Sequence, residues 1–146
     1  MSTTKIMVAY DGSECSRRAL EWALASQKEA ARSIDVVSVV TPMVIPVSYE
    51  IPNMGMDISA LHESQKKVKA AELEKLQAEC LAQGQNIAVH VLEGNVAETL
   101  LEYSTSSGAD LLVTGSRGES GFTRLLLGSI AQKLVTYAKI PVVVVK

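Results

Sequence analysis

Cysteine is scarce in this chain of 146 residues: there are two, Cys15 and Cys80. They form no Cys-x-x-Cys pair, and neither His62 nor His90 stands at metal-ligand spacing from them. That argues against a disulfide framework and against a sequence-encoded metal site. Both cysteines fall in expected helices and read as reduced, packed thiols. Cys15 falls at a helix start, where the dipole lowers a thiol pKa, so a redox role is the second reading. Aromatic residues make up only 4% of the chain, against 47% apolar. The core must therefore be built from Val, Leu, Ile and Ala, which suits a parallel sheet under alanine-rich helices. There is no basic surplus: 14 Lys and Arg face 16 Asp and Glu, a formal net charge of -2. Without a basic stripe, nucleic acid is not an expected partner. No apolar run is long enough to span a bilayer, so no membrane insertion is expected. The start, Met1-Ser2-Thr3-Thr4-Lys5, leads straight into a strand and lacks the pattern of a signal peptide. A cytoplasmic location is the expectation. Neither histidine has a Ser or Cys partner arranged by local sequence, so no hydrolytic triad and no catalytic residue is assigned.

What the chain has is a glycine-rich stretch from Gly115 to Ser129, entered by an apolar run at Asp110–Thr114 and left by a helical one at Ile130–Val135. Strand, glycine loop, helix start is an arrangement that binds anions. Glycines let the backbone approach a ligand, and the free amides of the helix start point at it. The spacing is G-x2-G-x9-G-S, through Gly115, Gly118, Gly128 and Ser129. It lacks the Gly-Lys-Ser or Gly-Lys-Thr of a P-loop and does not fit the dinucleotide G-x-G-x-x-G spacing. The outer-phosphate lysine of P-loop enzymes is missing from it.

Around this stretch, strands and helices alternate. Strands are expected at Lys5–Tyr10, Ile34–Val40, Ile87–Leu92, Asp110–Thr114 and Ile140–Val145. The first helix follows Asp11-Gly12-Ser13, with Ser13 as N-cap and Ala19, Leu20, Ala23 and Leu24 as its apolar stripe. A long helix is expected from Ile58 to Ala82, with Leu61, Val68, Leu76 and Cys80 inward, His62 outward and Gly84 as its stop. A shorter one, Val96–Ser106, starts at Asn95. His90 is expected to face solvent or a covering helix at a sheet edge. Between Thr41 and Asp57 three prolines preclude a regular helix. That segment reads equally as a flap, a contact surface or an irregular piece packed on its own domain. Such alternation predicts a single α/β domain, 1–146, with a three-layer α/β/α open sheet of five parallel strands.

In an open doubly wound sheet, ligands sit at the carboxyl ends of the strands. Asp11-Gly12-Ser13, Gly94-Asn95 and the glycine stretch all occupy such ends, and Val39 and Val40 would line the same crevice. A carboxylate, apolar backbone and a phosphate loop together describe an adenine-nucleotide site. Asp11 by itself reads equally as a ligand contact and as a turn residue.

The whole chain resembles a universal stress protein of the UspA superfamily. The likeness rests on the strand into Asp11-Gly12-Ser13, the turn Gly94-Asn95-Val96-Ala97-Glu98, the Gly115-Ser116-Arg117-Gly118 start, the Leu127-Gly128-Ser129 end and the closing Pro141–Val145 strand. It implies strand order 3-2-1-4-5, an adenine-nucleotide alpha-hydrolase-like fold, and a crevice between strands one and four. The intact glycine pattern implies the branch that binds ATP or another adenine nucleotide, with Mg2+ or Mn2+ accompanying the phosphates. By the same resemblance Asp11 and Val39 contact the adenosine part, and Gly115, Gly118, Gly128 and Ser129 contact phosphates. The expected binding set is completed by Gly12, Ser13, Val40, Gly94, Ser116, Arg117 and Ile130. Asn95-Val96 departs from the Asp-Pro common in the family, and Glu119 puts a carboxylate in the phosphate loop. The family habit of pairing through the last strand implies a homodimer through Pro141–Val145. Three functions stay open: a nucleotide-responsive signalling module, a slow ATPase or self-phosphorylating protein, and an interaction protein that takes AMP or cyclic AMP.

Overall fold

The computed structural model of the protein describes residues 4–42, 58–117 and 127–146. Nine elements alternate in them: β1 (Thr4–Ala9), α1 (Glu14–Gln27), β2 (Arg32–Val40), α2 (Ile58–Ala82), β3 (Ala88–Glu93), α3 (Val96–Ser106), β4 (Leu111–Gly115), α4 (Ser129–Tyr137) and β5 (Val142–Val145). All strand pairings are parallel and the order is β3-β2-β1-β4-β5, as expected.

The two-residue period of the strands divides the core. Ile6 and Val8 of β1 pack with Ile34 and Val36 of β2 under α1 and α2. Met7, Ala9 and Val37 point to the other face, where Leu100 of α3 and Leu134 of α4 cover them. Burial on both faces explains why these strands read as unbroken apolar runs. The expected stripe of α1, Ala19, Leu20, Ala23 and Leu24, is buried. Ser13 and Asn95 cap their helices as the sequence predicts, accepting from the amides of Ser16 at 3.2 Å and Glu98 at 3.1 Å. Gly84, with φ +76°, ends α2.

The buried face of α2 differs from expectation. Leu73 and Cys80 are buried, whereas Leu61 is 37% and Val68 59% exposed. Geometry gives the reason. A helix of 25 residues is about 37 Å long, while a six-residue strand such as β3 spans about 20 Å. The helix runs against the strands, so its first half overhangs their carboxyl ends and finds little sheet to cover. What it finds is Glu93 at the end of β3. His62, expected on an exposed face, is largely covered there, with Nε2 2.6 Å from Glu93 Oε1; Lys66 Nζ lies 3.1 Å from Glu93 Oε2.

At the opposite end of the sheet, Asp35 is buried. Lys5 Nζ lies 3.2 Å from its carboxylate and donates to the Ser107 carbonyl at 2.9 Å. His90 of the edge strand lies 3.6 Å from Asp35 and packs against Tyr103 of α3, with ring centres 5.5 Å apart and the rings tilted by 48°. The cluster ties β1, β2 and β3 to the end of α3. Burial first, then the Asp35 carboxylate, holds the Tyr103 hydroxyl above its ordinary pKa. No helix among the described residues is long and apolar enough to cross a membrane.

Candidate functional site

The connection from β1 leads towards β2, and that from β4 leads towards β5, so the chain diverges between the adjacent strands β1 and β4. A crevice opens at such a point, at the carboxyl ends of the strands. It holds a cavity of about 490 Å³, within the roughly 300–1,000 Å³ usual for small-molecule sites. Its walls come from the ends of β1, β2 and β4 and from the first turns of α1, α3 and α4.

The turn after β1 makes one wall. Gly12 takes φ +86°, which a side chain resists. Asp11 Oδ1 accepts from the Ser13 amide at 2.9 Å, and Ser16 Oγ donates to the Ser13 carbonyl at 2.9 Å. Asp11 thus is a turn residue by one oxygen, and among the described residues no bond occupies Oδ2. Asp11 and Ser13 line the cavity, with Val39 and the buried Ser38 from β2 beside them.

The facing wall comes from β4 and α4. The Ser116 amide donates to the Val145 carbonyl at 2.8 Å, and the Ser116 carbonyl accepts from the Gly128 amide at 2.8 Å. Gly115, Ser116, Arg117, Gly128, Ser129 and Ile130 line the cavity. Gly128 is the N-cap of α4 and offers no side-chain cap bond. The first amides of a helix have no intrahelical acceptor. Among the described residues no side chain caps α4, so the amides of Ser129 and Ile130 are open to an anion there. Gly115 has a reason of its own. A Cβ there would lie 2.7 Å from Cys15 Cβ and 2.8 Å from the Cys15 carbonyl carbon. The glycine lets β4 and α1 meet backbone to backbone.

Three residues of the expected set do not line the cavity that the described residues frame. The Val40 carbonyl accepts from the Gly94 amide at 3.1 Å, and Val40 is not among the residues lining the cavity. Gly94 is outside the cavity: with φ +142° and Thr99 Oγ1 2.6 Å from where its Cβ would stand, it serves the turn into α3. Gly12 faces a second hollow of about 590 Å³ between α1 and α2. Gly118 and Glu119, like 43–57 of the long connection, lie outside the described residues.

Lys69, by contrast, was not legible. It reaches the cavity from the overhanging part of α2, far from any motif. The helix's excess length over its strands was the only signal. Thr114, the last residue of the expected strand and outside the expected binding set, is buried and lines the cavity. Cys15 packs just behind the wall, buried, with Sγ 3.9 Å from Ser116 Oγ. Burial pushes its thiol up. The Arg18 guanidinium at 3.4 Å, the Ser116 hydroxyl and the Arg117 amide outweigh that and bring it below the ordinary cysteine value. Cys80 goes the other way: burial and then Glu79 raise it.

The arrangement defines an open, doubly wound α/β protein with its cavity where the strand order diverges and an uncapped helix start on one wall. The chain belongs to the universal stress protein family, whose profile matches residues 2–146. It is 33% identical to a universal stress protein of Methanocaldococcus jannaschii over 97% of this chain and 81% of that one. It is 29% identical to the stress response protein NhaX of Bacillus subtilis over 97% of both. Among solved structures it is similar to the universal stress protein UspA from Lactobacillus plantarum, with TM-score 0.82, 20% identity and 100% and 99% coverage. An Arabidopsis thaliana family member solved with AMP bound shares the fold at TM-score 0.68, with 22% identity over 98% of this chain and 91% of that one. So does a universal stress protein in complex with cAMP, at TM-score 0.68, with 21% identity and 99% and 98% coverage.

Proposed function

We propose that this crevice binds an adenine nucleotide, ATP in the first place, and that the protein works as a nucleotide-responsive signalling module of the stress response. The observation that carries the reading is the meeting, in one cavity, of Asp11 and Val39 with the uncapped start of α4 at Gly128-Ser129. The two sides suit the two ends of a nucleotide. Asp11 Oδ2 accepts from ribose hydroxyls, Val39 flanks the base, and the α4 amides take phosphate. Binding of AMP and of cAMP by two relatives of the same fold supports the adenine part. Mg2+ or Mn2+ enters with the phosphates; among the described residues no cluster of three metal-ligating side chains stands ready for it. Holding is favoured over hydrolysis, because Asp11, the carboxylate among the described cavity residues, has one oxygen committed to its own turn. We further propose a cytoplasmic homodimer paired through the edge strand β5.

The test combines mass spectrometry of nucleotide released from the purified protein with titration calorimetry. ATP is expected to bind wild type, and Gly128→Ala is expected to weaken it at least tenfold. Gly128 has φ −60° and ψ 156°, open to any residue, so its melting temperature should hold. An unchanged ATP affinity in the variant, or none in wild type, would sink the proposal.

A further inference from the structure

We infer that Lys69 replaces the lysine missing from the glycine loop, reading the anionic charge of the nucleotide from α2 and across the crevice. This rests on the nucleotide reading above and extends it to specificity. Among the described residues, the cavity is lined by two cationic side chains, Arg117 at the loop and Lys69 on the overhanging helix. Lys69 also lines the second hollow, and Tyr10 and Asp11 are shared with it. It therefore stands at the passage between the two, over the end of β1.

Its side chain is only 25% exposed, while its partner Glu72, 3.1 Å away in the next turn, is 55% exposed. Glu72 lines the second hollow and not the cavity. The lysine is thus held beside the cavity by a carboxylate on its far side. Pairs with so solvated a partner are weakly held. A lysine is a point charge with three rotatable donors on a flexible four-carbon stem. It can turn from Glu72 to a ligand anion through side-chain torsions alone. A polyphosphate then gains a charge-assisted bond, whereas adenosine offers no anion to exchange for Glu72.

The test measures ATP and adenosine affinity in wild type, Lys69→Gln, Lys69→Arg and the double variant Lys69→Gln/Glu72→Gln. Lys69→Gln is expected to weaken ATP about fivefold to tenfold and leave adenosine within about twofold. Lys69→Arg is expected to recover most of the loss. The double variant is expected to stay weak, which separates loss of the cation from repulsion by a bared Glu72. Equal losses for ATP and adenosine, or recovery in the double variant, would overturn the inference. Wild type that binds ATP with Lys69→Gln unchanged would overturn it alone. Wild type that binds neither compound would overturn it together with the nucleotide reading.

Discussion

Consider replacing Gly115 by alanine. The added Cβ would meet Cys15 Cβ at 2.7 Å, the Cys15 carbonyl carbon at 2.8 Å and the Ser16 amide nitrogen at 3.0 Å. Two of those three atoms are backbone, in the first turn of α1, so no side-chain rotation relieves the clash. Either β4 or the start of α1 has to move. Overpacking in a filled core costs about 1–3 kcal/mol, and a clash with backbone belongs near the top of that range. For a domain of this size, a loss of about 2–3 kcal/mol lowers the melting temperature by roughly 6–12 °C. The assay is thermal and urea unfolding followed by circular dichroism. The expected result is that fall in midpoint with an unchanged urea slope. ATP affinity would fall too, since the moving parts are cavity walls. Gly128→Ala is the contrast, weakening ligand without weakening the fold. If Gly115→Ala melts within about 2 °C of wild type, the packing argument is wrong. If it does so and also loses ATP, this glycine serves ligand approach, as the motif alone suggested.

Two further perturbations probe the ends of the sheet. Asp35→Ala removes the partner of Lys5 and the nearest carboxylate to His90. Because Lys5 keeps some solvent, the loss should be about 1–3 kcal/mol, below the full cost of breaking a wholly buried pair; an unchanged urea midpoint would refute it. Glu93 tests pH dependence. Lys66 first, then His62, hold its carboxyl below the ordinary glutamate range. A depressed carboxylate contributes stability above its unfolded pKa, about 4.3, and that contribution is lost as pH falls through the folded value. The stability gap between wild type and Glu93→Gln should therefore be open at neutral pH and close below about pH 4. A gap that does not vary with pH would contradict this.

The fold was legible because its signals are local. Apolar runs such as Ile6–Ala9 and Val36–Val37 mark strands buried on both faces, and Ser13 and Asn95 mark helix starts. Asp11, Val39 and Gly128 were legible because they sit beside strand ends, where topology brings them together. What stayed hidden depends on distances between elements. Val40 looks like Val39 in sequence, yet only Val39 lines the cavity. Leu61 and Val68 fit a buried stripe by period, yet α2 there has run past the sheet. Lys69 belongs to the same overhang. Gly115 looked like a ligand contact by its place in the motif, while the atoms that a side chain would strike belong to Cys15 and Ser16, about a hundred residues earlier in the chain and adjacent only once it is folded.

One hydrogen-bonded relay has a wider reach. The Val145 carbonyl holds the Ser116 amide, and the Ser116 carbonyl holds the Gly128 amide. Val145 belongs to β5, which among the described residues has a sheet neighbour on one side only. A strand added to the other side would thus stand, beyond β5 itself, two backbone hydrogen bonds from the cap of α4. Such a path has no side chain to mutate away and no rotamer to absorb a shift. Whatever effect assembly at the sheet margin has on ligand retention, ligand must exert the same effect on assembly. The margin of the sheet and the mouth of the crevice are, in that sense, joined through main chain alone.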